Sequence, residues 1–122
     1  MRKAILIVLL IFLPTLLYAG DWIQVDGGVT ELDLNQKELE TELWKHLNKH
    51  SKYKFQPKIK YTYQYQVQKG NVLYINAFCD NPSQKELSKY FVVVKDGGSC
   101  FFQVKFNLEK GKFFGLNVNG EA

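Results

Sequence analysis

Residues 58–80 read KIKYTYQYQVQKGNVLYINAFCD, and this stretch decides the fold. Polar and apolar residues alternate without a break from Lys58 to Val67. Ile59, Tyr61, Tyr63, Tyr65 and Val67 share one parity; Lys58, Lys60, Thr62, Gln64 and Gln66 share the other. A period of two, rich in aromatic and β-branched residues, marks a strand with one face buried and the other wet. Lys69, Gly70 and Asn71 carry turn chemistry. Val72 to Cys79 then resumes the apolar run, so the stretch reads as a β-hairpin.

Before the hairpin the period changes. In DLNQKELETELWKHLNKHSKY, residues 33–53, Leu39, Leu43 and Leu47 recur at i, i+4, the spacing of one helical face. Asn35 is placed to cap the helix, with Glu38 three positions on as in a capping box, and Pro57 closes any continuation. Upstream, DWIQVDGG reads as a short strand broken by Asp26, Gly27 and Gly28. Downstream, residues 80–90 read as a loop with one helical turn, where Ser83 precedes Glu86. FVVV reads as a strand, Asp96-Gly97-Gly98 as a turn and CFFQVKFNL as a strand. Glu109-Lys110-Gly111 turns again, and KFFGLNVNG closes the sheet. The helix has one apolar stripe and must bury it against a sheet. The expected fold is α+β: one long helix packed on a twisted antiparallel meander of four strands, with a short strand before the helix.

The first 22 residues, MRKAILIVLLIFLPTLLYAGDW, have the anatomy of a secretory leader: Arg2 and Lys3, an apolar run from Ala4 to Leu17, then small residues at Ala19 and Gly20. The apolar run is shorter than the roughly 20 residues a spanning helix needs, and Pro14 interrupts it. Cleavage is expected after Ala19. Residues 1–19 are then the signal peptide and 20–122 a single exported domain, periplasmic or secreted, with no stable membrane insertion after cleavage. The whole chain carries a formal charge of +4, and losing Arg2 and Lys3 leaves +2. That is too weak for a nucleic-acid footprint. No repeat or low-complexity tract is present.

The order strand, helix, antiparallel strands resembles the cystatin fold over nearly all of residues 20–122. Gln66 to Gly70, QVQKG, stands where that fold carries its first inhibitory loop. The protease-blocking members have Gln-x-Val-x-Gly there, whereas this chain has Gln68 in the central place. The pattern DGGSCFF…VNGEA is also similar to a group of small exported bacterial proteins. The resemblance implies a cystatin-like topology and, through the loop, contact with a partner.

Three groups of residues are candidates for chemistry. Cys79 and Cys100 are the only cysteines; in an exported chain they are expected to meet as a disulfide. A buried unbridged pair and a catalytic thiol are the other options, and Phe101 and Phe102 beside Cys100 would raise a thiol's pKa, not lower it. His46 and His50 stand at i, i+4 on the stripe of Leu39 and Leu43. Leu47 occupies the place a metalloprotease motif gives to Glu, and two histidines are half a zinc site. They are expected to face the sheet, His46 at the core edge beside a tyrosine hydroxyl and His50 near the frayed helix end. Glu38, Glu40 and Glu42 run down the helix with Lys37 and Lys45 nearby, and Glu38 and Glu42 share a face as a solvated like-charge pair. Neither a metal nor a cofactor is expected.

The function expected from these residues is a small exported binding or inhibitory module that acts by protein contact without catalysis. Lys69, Gly70 and Asn71 are its candidate contact turn. The alternatives are a subunit of an envelope assembly, or an enzyme using a helix–sheet pocket lined by His46 and His50.

Overall fold

A computed structural model describes residues 19–94 and 97–119. The expected leader lies outside the described residues apart from Ala19, as do Asp96 of the expected turn and the last three residues. Among the described residues no helix is long and apolar enough to cross a membrane. The elements are β1 (Asp21–Gln24), α1 (Gln36–His50), β2 (Thr62–Gln68), β3 (Val72–Phe78), β4 (Phe101–Asn107) and β5 (Lys112–Val118).

The helix starts where the sequence places it. The Asn35 side chain accepts a hydrogen bond from the Glu38 amide at 3.1 Å and donates to the Glu38 carboxylate at 3.1 Å. Lys49 and His50 lie in the last turn, where the helix dipole favours positive charge. Leu39, Leu43 and Leu47 are buried against one face of the sheet. On that face Tyr61, Tyr63, Tyr65 and Val67 meet Leu73, Ile75 and Ala77 of β3 and Phe102 and Val104 of β4. The tyrosine row is core, as its alternation implies. Ile59 departs from it: a 3-10 turn over Lys58–Lys60 leaves this side chain exposed.

The five strands lie in sequence order, β1-β2-β3-β4-β5. The last three pairings are antiparallel, but β1 pairs with β2 in parallel. The sheet is therefore mixed, which corrects the expected antiparallel one. The reason is the crossover: α1 carries the chain back along the sheet, so β2 starts at the end where β1 started. Two ends follow. The hairpin end carries the turns at 69–71 and 108–111. The linker end carries the start of β1, the end of α1, residues 51–61, the start of β4 and the end of β5.

The second face of the sheet is also covered. Residues 80–94, here termed the strap, cross it from the end of β3. A row of amide side chains runs beneath, set in register on four strands: Gln64, Asn76, Gln103 and Asn117. Asn117 donates to Gln103 at 3.1 Å, Gln103 to Asn76 at 3.0 Å and Asn76 to Gln64 at 3.0 Å. Gln64 also donates to the Leu87 and Tyr90 carbonyls, each at 2.8 Å, and accepts from the Val92 amide at 2.8 Å. Asn76 donates to the Val92 carbonyl at 2.9 Å. FVVV, expected as a strand, is thus an irregular segment whose backbone bonds go to side chains instead of to a ladder.

Candidate functional site

Cys79 and Cys100 form a disulfide, with Cα atoms 5.1 Å apart. The bridge ties the end of β3 to the 3-10 turn before β4, and the Cys79 amide donates to the Cys100 carbonyl at 3.0 Å. Asp80 comes close to both sulfurs. Joined to each other, the sulfurs have no thiolate to offer a metal or a substrate.

The histidines stay together, His46 at the edge of the core and His50 in the last turn of the helix, but without the expected tyrosine partner. Their ring centroids are 4.7 Å apart, and the His46 ring packs 5.4 Å from that of Phe113 on β5. His46 is half-buried and His50 exposed. Burial, and then the neighbouring His50, hold the His46 pKa below the usual histidine value. Both rings line a shallow groove between the outer flank of α1 and β5, with Glu42, Lys45, Lys49 and Lys112. The space between helix and sheet beneath them is filled by Leu43, Leu47 and Ile75, all fully buried.

The tyrosine hydroxyls that the sequence reading offered to His46 go elsewhere. Tyr63 accepts from the Trp44 indole N–H at 2.8 Å and donates to the Lys58 carbonyl at 2.9 Å. Tyr61 accepts from the Gln56 amide at 3.1 Å and donates to the Ser99 carbonyl at 2.7 Å. Burial pushes both phenols above the usual tyrosine pKa, so they stay protonated and able to donate. Two buried hydroxyls therefore fasten the linker between α1 and β2.

That linker forms the wall of a recess of about 670 Å³. Trp44 and Phe55 line it with their rings edge to face, 5.5 Å between centroids. Tyr53, Lys54 and Lys58 complete the rim, and all three are exposed. Lys52 and Lys60 flank it in the chain. Among the described residues none of these four lysines has an acidic partner within ion-pair distance; the two ion pairs are Lys45–Glu42 and Lys89–Glu86. This basic, aromatic recess was missed from the sequence, though a signal exists. Between Glu42 and Asp80 the chain has no acidic residue at all and seven lysines.

The candidate contact turn lies at the other end. Gly70 and Asn71 adopt left-handed backbone (φ 82° and 57°), which closes the β2–β3 hairpin. Asn71 donates from its side chain to Glu109 at 2.6 Å, and the Leu108 amide donates to the Asn71 carbonyl at 2.9 Å. The turn is thus clamped to the β4–β5 turn beside it, with Lys69 exposed at the tip.

Compared with protein-family models, curated proteins and solved structures, the chain finds no match.

Proposed function

We propose that this protein is an exported binding module that works by contact with an acidic segment of another protein and performs no covalent chemistry. The observation that carries this reading is the recess at the linker end. Trp44, Tyr53 and Phe55 offer the aromatic surface that interfaces favour, while Lys52, Lys54, Lys58 and Lys60 supply positive charge around it. The recess is open to solvent, so an extended acidic segment can lie along it without any element having to move. The tyrosine hydroxyls hold its wall in place before any partner arrives, which lowers the ordering cost of binding.

The clamped turn at Lys69, Gly70 and Asn71 supports a second contact surface, the one a cystatin-like inhibitor would use. Its bond to Glu109 makes it a rigid double tip instead of a loose loop. Inhibition of an exported enzyme is the form that contact would take.

Capture from native envelope extract tests both. The protein immobilised at low salt is expected to retain a stoichiometric partner. Lys54→Glu with Lys58→Glu should release it, and retention should fall steeply as salt rises. If Lys69→Ala with Asn71→Gly releases the partner instead, the hairpin end is the interface. Retention of nothing by the unaltered protein counts against the reading.

A further inference from the structure

Glu40 is the charged side chain that the helix buries. It lies on α1, only 2% exposed, and one carboxylate oxygen accepts from the Trp22 indole N–H at 2.9 Å and from the Gly20 amide at 3.0 Å. Among the described residues no Lys, Arg or His side chain pairs with it. A buried carboxylate without a counter-charge is costly, because hydrogen bonds from neutral donors recover only part of its hydration. Gly20 itself sits in a tight cradle. A Cβ there would stand 2.5 Å from the Tyr61 carbonyl oxygen, 2.6 Å from the Tyr63 ring and 3.0 Å from the Lys58 carbonyl oxygen. The fold accepts glycine alone at this point.

Gly20 is also the residue after the small Ala19 that ends the leader-like segment. The fold and a leader endopeptidase, which takes small residues at the cut, make compatible demands on the same place. We propose that the Ala19–Gly20 bond is the site of leader removal, and that the α-ammonium group created on Gly20 is the missing partner of Glu40. Water and a leader endopeptidase are the co-reactants. The C–N bond between Ala19 and Gly20 breaks, the hydroxyl of water goes to the Ala19 carbonyl carbon, and its proton goes to the Gly20 nitrogen. At neutral pH that amine takes up a further proton. One neutral N–H facing Glu40 becomes a cation with three.

The cut is made on the unfolded, emerging chain, and folding then seats the new terminus. The remaining charged or titratable groups near the ammonium are few. Tyr63 faces it from β2; Asp21 adjoins it on β1, and Lys58 and Lys60 belong to the preceding turn. Leader removal thereby completes an ion pair inside the protein, independently of what the protein binds.

The test uses the exported product of the full chain. Its intact mass should place the terminus at Gly20; any other terminus overturns the proposal. The α-amine, titrated in the folded protein, should have a pKa at least one unit above the roughly 7.7–8.0 of a free terminus. Selective acetylation of that amine should lower the folded-to-unfolded ratio about 10-fold, as one unit of pKa shift implies. In Glu40→Gln the same acetylation should cost much less. Equal losses in both proteins, or an α-amine titrating at the ordinary value, sink the idea. Because the titration uses the unaltered chain, it decides the matter even if Glu40→Gln does not fold.

Discussion

Gln64 shows how one side chain can organise a face of the molecule. Its amide uses both N–H groups and both lone pairs, on Leu87, Tyr90, Val92 and Asn76. Gln64→Leu keeps the volume and strands those partners beneath the strap. The expected cost is about 2–4 kcal/mol, read as a lower urea midpoint at unchanged slope. Alternation alone assigned Gln64 to the wet face, and that is the step where the sequence reading falls short. Parity says which residues point away from the helix; it does not say that a later segment will cover them. Glu40 was missed for a different reason: its neighbours Glu38 and Glu42 are exposed, and what covers it is the earlier segment of Gly20 and Trp22. His46 offers a second prediction at this scale. Its folded pKa is depressed, so the unfolded ring protonates first as pH falls. Full stability is present above about 6.5 and is lost as the pH drops below that value toward the folded pKa. His50→Gln removes the neighbouring charge and should shrink the loss, measured as the difference in urea midpoint between about pH 7.5 and 5.5.

The elements divide by whether their stability is local. The helix and the β2–β3 hairpin were legible because cap, period and turn residues agree in each. Parallel pairing of β1 was not legible: four residues carry no sign of direction, and Asp21 meets Thr62 only after the crossover. FVVV has strand composition, yet its Val92 and Val94 backbone groups are met by Gln64, Asn76 and Asn119 side chains. The strap is held by these amides and by the Cys79–Cys100 bridge at its base, with the Asp26 amide on the Ser88 carbonyl and Val92 packed on Phe78 and Phe101 adding to both. Reduction of the bridge should cost about 3 kcal/mol through loop entropy. With the amides intact, the strap should stay docked and protected from hydrogen exchange. Reduction combined with Asn76→Ala should cost more than the two losses added, because either restraint keeps the strap near the sheet. Equal, additive losses would show that the two act separately.

At the scale of the whole molecule, a net charge of +4 conceals a separation along the helix axis. Asp26, Glu31, Asp33 and Glu38 precede or open α1 at the hairpin end, where Lys37, Lys69, Lys110 and Lys112 offset them. Lys45, Lys49, Lys52, Lys54, Lys58 and Lys60 close it and follow it at the linker end. Net charge alone hides this arrangement, whereas the acid-free run between Glu42 and Asp80 shows its basic half, which the helix carries away from the acidic one. An acidic partner should therefore approach one end in preference to the other, and salt should weaken that steering. The register that aligns Trp22, Tyr63, Ala77, Phe102 and Val118 across five strands has a practical outcome. Gly20 and Asn119 both leave the sheet on the side of the lysine-rich recess. A handle attached beside Asn119 will turn that side toward the bead and point Lys69 into the solvent. A surface attachment made through Lys69 does the reverse, so the choice of handle decides which face a would-be partner can reach.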